Sequence, residues 1–223
     1  VYSARRAIDV KAAVVYGFPN QNSLHGFLKF YYKVYSIEWW IKVLRPLKLI
    51  SRNSRKLSGR ILDLPKEYDM TEERLKCVRP INQLERRIQV DMSIDYLRWR
   101  YVEHPFNKYG LVFDRGKGTS SAIFLIRETV NEYREMIVLE TFGPVKQYGE
   151  LLTELINTAK TLKVSMIAIM DSKDFQASEV FKKKRFLRAK NKLFFTIPTR
   201  LDLEPITSDI SNWRMVAGLH DSV

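Results

Sequence analysis

The chain has 223 residues, with 38 Lys or Arg against 25 Asp or Glu, a formal net charge of +13 and a pI near 9.8. At 45% hydrophobic and 12% aromatic it can fill a core, which excludes a disordered chain, and no apolar run approaches the roughly 18–20 residues of a membrane span. The single cysteine, Cys77, excludes an internal disulfide and every multi-cysteine zinc motif.

Residues 1–10 read as the end of a helix, and no basic-then-apolar leader opens the chain at Val1, so no signal peptide is expected. Ala12 to Tyr16 is a short apolar run that suits a buried strand. Gly17-Phe18-Pro19-Asn20 breaks it, Ser23 to Tyr31 then reads as helical, and Ile37 to Leu44 as a strand closed by Pro46. Trp39 and Trp40 are adjacent, so in a strand they point to opposite faces.

The charge is concentrated early. Residues 1–60 carry 12 basic and two acidic side chains, a net of +10, and the remaining 163 carry 26 and 23, a net of +3. Such asymmetry fits an anionic partner, nucleic acid included, or a solvated linker. Arg52 to Arg60 reads as an exposed connector, and Thr71 to Val90 as one or two short helices broken at Pro80. A structureless stretch this long inside one domain is unusual, so a boundary is expected in 47–90.

From Met92 the pattern sharpens. Ser93 is the expected cap of a helix through Tyr101, with Ile94, Leu97 and Tyr101 on one face, ended by His104-Pro105. Tyr109 to Asp114, Ser121 to Thr129 and Met136 to Thr141 read as an antiparallel meander that Gly143-Pro144 ends. Gly149 to Lys163 is an amphipathic helix, Ser165 to Met170 a buried strand, and Ser178 to Lys184 a short helix. Lys192 to Ile197 and Trp213 to Ala217 are later strands. The fold class is α/β (α+β): a mixed, mostly antiparallel sheet with helices on both faces.

Three stretches carry a family resemblance. Tyr16-Gly17-Phe18-Pro19-Asn20-Gln21-Asn22-Ser23 with Gly26-Phe27 resembles a strand-to-helix junction, and Asp95 to Tyr101 with His104-Pro105 resembles the helix opening a second lobe. With the run from Met136 to Phe186, they resemble a bacterial tandem-lobe subgroup of the GNAT N-acyltransferase superfamily. The resemblance implies that 1–46 is the back half of a first GNAT-like lobe. It makes 47–90 a basic connector and 91–223 a second, near-complete lobe. It implies a chain truncated at its N-terminus, so that Ala12 to Tyr16 needs the second lobe or another chain to cover its edge. A homo-oligomer is thus left open.

The implied function is acyl-CoA-dependent transfer of an acetyl or other acyl group to an amine, with the second lobe degenerate. The co-substrate would be acetyl-CoA or another acyl-CoA, the acceptor an unidentified amine. Glu140, at the end of the third meander strand, matches the place where the family often holds a base; an exposed strand-end carboxylate is the competing reading. Asn20 and Asn22 match positions that bond a pantetheine amide, or else they cap a helix. Gly143, Lys146 and Gly149 fall on the pyrophosphate loop. There Lys146 and Tyr148 replace small residues, so a structural turn competes with CoA binding. Phe27 and Phe181 stand where a tyrosine acid would be and read as core.

Arg98, Trp99 and Arg100 suggest a cation–π contact, and Lys182-Lys183-Lys184-Arg185 forms a second basic cluster. His25, His104 and His220 are far apart in sequence, so no metal is expected, and the lone cysteine suggests a reducing, cytoplasmic setting. The alternatives to catalysis are a non-catalytic GNAT-fold binding module and polyanion binding through the basic first quarter.

Overall fold

The computed structural model describes residues 16–30, 32–46, 60–79, 92–106, 108–116, 118–128, 133–170, 175–198, 213 and 217. The helix expected at 1–10, most of the strand expected at Ala12 to Tyr16 and the stretch after Pro80 lie outside the described residues.

Helix α1 (Gln21–Lys29) is started by Asn20, whose Oδ1 accepts from the Ser23 amide at 2.9 Å. Strand β1 (Tyr32–Val43) begins five residues earlier than its apolar run suggests, because β7 supplies partners from Tyr32 onward. A two-residue strand β2 (Arg60–Ile61) precedes the one-turn helix α2 (Glu72–Leu75), capped by Thr71. Helix α3 (Ile94–Leu97) is capped by Ser93, as its sequence predicts, and widens into a π-helical turn over Arg98–Val102. The meander follows as β3 (Gly110–Phe113), β4 (Ser121–Glu128) and β5 (Arg134–Phe142). A 3₁₀ turn (Val145–Gln147) leads into the long helix α4 (Tyr148–Thr161). Strand β6 (Met166–Met170), helix α5 (Phe175–Lys183) and strand β7 (Leu187–Pro198) complete the order. Of Trp213 to Ala217 only the two end residues are described; both are buried, Trp213 forms a β-bridge and Ala217 lies in a 3₁₀ turn.

These strands make one mixed sheet in the order β2-β4-β5-β6-β1-β7, with β3 sharing the β2 edge of β4. Every pairing is antiparallel except β5 with β6. The sheet joins all three sequence segments: β1, from residues 1–46, lies between β6 and β7. Within the stretch expected to connect two lobes, Met70, Leu75 and Val78 are buried in the core. Gly17 exchanges two backbone hydrogen bonds with Thr196, covering part of the outer edge of β7.

Alternation along the strands sorts the core into two layers. One packs Leu97, Tyr101, Leu111, Ile123, Leu125 and Phe142 under α2 and α3. The other packs Val112, Phe124, Met136, Val138, Leu151 and Phe181 under α4 and α5. Helices therefore cover both faces, as expected from the element order. Trp40 belongs to the second layer and Trp39 packs on the first.

Candidate functional site

The site is built by two departures from regular geometry. Between β4 and β5 the register runs Ile123↔Glu140 and then Phe124↔Val138, so Leu139 is the extra residue of a bulge. A bulge re-aims the side chains around it. Strict alternation after Val138 would send Glu140 toward α4. The bulge turns it to the opposite face, where its Oε1 accepts the Tyr101 hydroxyl at 2.9 Å. Tyr101 comes from the π-helical turn, closed by the Glu103 amide donating to the Arg98 carbonyl at 2.9 Å. Such turns and bulges recur at functional sites.

Glu140 is 1% exposed and Tyr101 3%. The reading of Glu140 as an exposed strand-end carboxylate is thus overturned: the bulge folds it inward. Burial foremost, then the Glu140 charge and the hydrogen bond to it, push the Tyr101 hydroxyl well above its usual pKa. Tyr109 stacks edge-on against Tyr101 at 5.1 Å, and His104 edge-on against Tyr109 at 5.6 Å.

Beside this pair the sheet opens. Strand β5 pairs with β6 only from Glu135 to Val138, yet continues to Phe142. The ladder between β5 and β6 thus ends at Val138.

The loop after β5 is less open. Gly143 has φ +102°, and a Cβ there would stand 2.3 Å from Ser120 Oγ and 2.6 Å from Ser120 Cα, so only glycine fits. Ser120 Oγ and Thr119 Oγ1 both donate to the Gln147 side-chain oxygen. The buried Asp114 carboxylate holds the facing turn through the amides of Gly118 and Ser120. Gly143 therefore serves the packing of the two turns. Lys146 is exposed, and the space where a Cβ would stand on Gly149 is open. No side chain caps the start of α4. The first turn of α4 carries Glu150, and the loop before it is filled by its own side chains. Tyr148 is buried with its hydroxyl 3.2 Å from Thr141 Oγ1.

The candidate residues do not converge. Glu140, Gly143, Lys146 and Gly149 follow one another at the end of β5 and the start of α4. Asn20 and Asn22 are exposed on α1, next to Gly17, which lies beyond β7. Strands β6, β1 and β7 intervene, a separation of roughly 20 Å at the usual strand spacing. Asn20 caps α1, the alternative its sequence position allowed. Phe181 is a core residue against Trp40 at 5.3 Å, and Phe27 packs edge-on against Tyr32 at 5.1 Å. Arg98 pairs with Glu72 at 2.8 Å and Asp95 at 2.6 Å, in place of the cation–π contact with Trp99. Sequence reasoning missed Tyr101 as the partner of Glu140, since its helical spacing marked it only as apolar.

A cavity of about 500 Å³ lies elsewhere, between β2 and the end of α4, lined by Arg60, Asp63, Arg134 and Lys163 among others. Two of its cations are shared with Glu128, Arg134 at 2.8 Å and Arg60 at 3.4 Å. Among the described residues no group of His, Cys, Asp and Glu could hold a metal ion, and no helix is long and apolar enough to cross a membrane.

No family model and no curated protein matches the chain. Among solved structures it is similar to a GCN5-related N-acetyltransferase from Anabaena variabilis, at 9% identity and a TM-score of 0.48, over 88% of this chain and 48% of that one. It is also similar to a functionally unknown conserved protein from Staphylococcus epidermidis, at 10% identity and a TM-score of 0.46, over 88% of this chain and 76% of that one. The chain spans about half the length of the Anabaena protein. Neither likeness carries a residue role across.

Proposed function

We propose that the chain forms part of an acyl-CoA-dependent N-acyltransferase that moves an acetyl or other acyl group to an amine. The observation that supports this reading is the parting of β5 from β6 after Val138, beside the bulged Glu140. An extended ligand carrying amides can enter where two strands part and pair as a strand would, and the pantetheine arm of CoA is one. The uncapped start of α4, with Lys146 and Gly149, would take its phosphates. Asn20 and Asn22 drop out of this site, and Gly143 supports it only as a turn.

In the reaction the amine nitrogen attacks the thioester carbonyl carbon and its proton passes to Glu140. The carbon–sulfur bond then breaks, and the departing thiolate takes a proton from water. The chain's part is to hold the carboxylate through Tyr101 and to polarise the carbonyl with strand-edge amides. Glu140 must become reachable from the edge, so substrate entry has to loosen the layer containing Tyr101.

A second reading has its own observation. Ser120 and Gln147 close the loop before α4, which favours a non-catalytic module that kept the fold. Calorimetry with acetyl-CoA separates the two. Heat on binding, and thiol release with an amine that falls about 10²-fold or more in Glu140→Gln, supports transfer. Absence of heat from this chain, together with absence of heat from a chain extended before Val1, sinks it. Binding without turnover selects the second reading.

A further inference from the structure

The cavity between β2 and the end of α4 lies at the opposite end of β5 from Glu140 and measures about 500 Å³. Three neighbouring strands build a charged row at its edge. Arg60, Glu128 and Arg134 stand opposite one another across β2, β4 and β5. Alternation puts all three on the α4 face, with Ile126 and Met136. The row holds one carboxylate for two guanidiniums. Glu128 Oε1 accepts from Arg134 Nε at 2.8 Å, and its Oε2 lies 3.4 Å from Arg60 Nη2. Arg134 Nη1 donates to the Leu162 carbonyl at 3.3 Å, which leaves its Nη2 without a partner among the described residues. Leu62, Leu64, Ile126 and Leu162 make the floor of the cavity apolar. Asp63 lines it too, but Leu62 and Leu64 on either side both pack toward α4, so alternation turns the Asp63 carboxylate toward the other face.

Lys163 completes the cavity from the end of α4. That end is closed by the Val164 amide donating to the Ala159 carbonyl at 2.8 Å and the Lys163 amide to the Lys160 carbonyl at 3.1 Å. The closure holds Lys163 at φ +56°. Glycine is the usual residue there, and a side chain is strained. Helix capping does not account for the choice of lysine: Arg134, not Lys163, takes the Leu162 carbonyl. The exposed Lys163 ammonium has no hydrogen-bond or ion-pair partner among the described residues. Strained side chains recur at ligand clamps. A cation with bonds to spare, beside a second one at Arg134 and above an aliphatic floor, calls for an anion with an apolar body. A phosphate ester would gain nothing from the floor, whereas a carboxylate on a hydrocarbon chain uses both parts. We propose that this cavity binds an aliphatic monocarboxylate, its chain on Leu62, Leu64, Ile126 and Leu162 and its carboxylate between Lys163 Nζ and Arg134 Nη2. Gly149 lies about 20 Å away along α4, so the site is distinct from the surface proposed for acyl-CoA and does not depend on that reading.

The test is isothermal calorimetry of the whole chain with sodium octanoate. Binding should tighten by up to about 4-fold for each methylene added from butyrate to octanoate. Octanol keeps the chain and loses the charge, and should bind about 10-fold or more weakly, as should octylammonium. Lys163→Gly removes the ammonium and relieves the positive φ. It should weaken octanoate about 10-fold while melting no lower than the unaltered chain. Lys160→Gln makes the same change of charge outside the cavity lining and should lose less than about 2-fold. Absence of heat with millimolar octanoate overturns the proposal, as does octanol or octylammonium binding as tightly as octanoate. A series that is flat with chain length overturns it by removing the floor. Unchanged affinity in Lys163→Gly, or an equal loss in Lys160→Gln, overturns it by moving the carboxylate elsewhere.

Discussion

The two faces of the sheet solve the same problem in different ways. Under α4 and α5 the layer is mostly apolar, with Phe124, Met136, Leu151 and Leu155 fully buried and a neutral Tyr148–Thr141 hydroxyl pair at its edge. Under α2 and α3 the layer is equally buried but encloses the Tyr101–Glu140 pair. The first face is dominated by a long amphipathic helix laid on the strands. The second uses a π-helical turn and a β-bulge to bring a phenol and a carboxyl together. On the second face the irregular backbone turns a polar group inward.

The largest effect should come from the apolar face. Phe124→Ala removes a fully buried ring and should cost about 3–5 kcal/mol in urea unfolding. A cost under about 1 kcal/mol would mean that this layer is not the close-packed one. Gly143→Ala is next: its methyl meets Ser120 Cα at a positive φ, so about 2–4 kcal/mol is expected.

Tyr101→Phe tests the other face. It strips a donor from a buried carboxyl, and about 1.5–3 kcal/mol should be lost. The pH dependence has a definite sign. The folded pKa of Tyr101 lies above its unfolded value near 10. Its contribution is therefore whole below about pH 10 and is lost as pH rises through the folded value. Tyr101→Phe should flatten the decline in stability above about pH 10 relative to the unaltered chain. An unchanged alkaline slope would break the contrast between the faces.

Smaller effects sharpen the separation of the candidate residues. Asn20→Ala should cost about 1 kcal/mol through the lost cap and leave any affinity for acetyl-CoA unaltered. Arg60→Ala should cost under about 0.5 kcal/mol, because its side chain is 80% exposed and its ion pair with Glu128 is long.

Much of the fold was legible in the residues. Ser93 capped its helix, the three meander strands paired antiparallel, and Leu151, Leu152 and Leu155 turned inward from α4. Those features depend on local chemistry, namely a hydroxyl before a helix, alternation at period two, and apolar spacing at three and four. The site was legible only in part. Glu140 stood out by its strand-end position, but its burial depends on Leu139 bulging opposite β4, and no local pattern encodes that register shift. Gly143 looked like part of a phosphate loop because glycine permits close approach, and the close approach turned out to be that of Ser120.

The charge excess follows the same division. By itself the sequence determined that the chain is strongly basic, most of all in its first quarter. It determined the elements whose signals are local. Tertiary structure alone decided that β1 lies between β6 and β7, that Tyr101 meets Glu140, and that Lys42 meets the Lys184 carbonyl. The physical reason is sequence separation. Helix caps and alternation act over a few residues, whereas Tyr101 and Glu140 are 39 residues apart and Lys42 and Lys184 are 142 apart. Contacts of that kind exist only once the sheet has brought its strands into register.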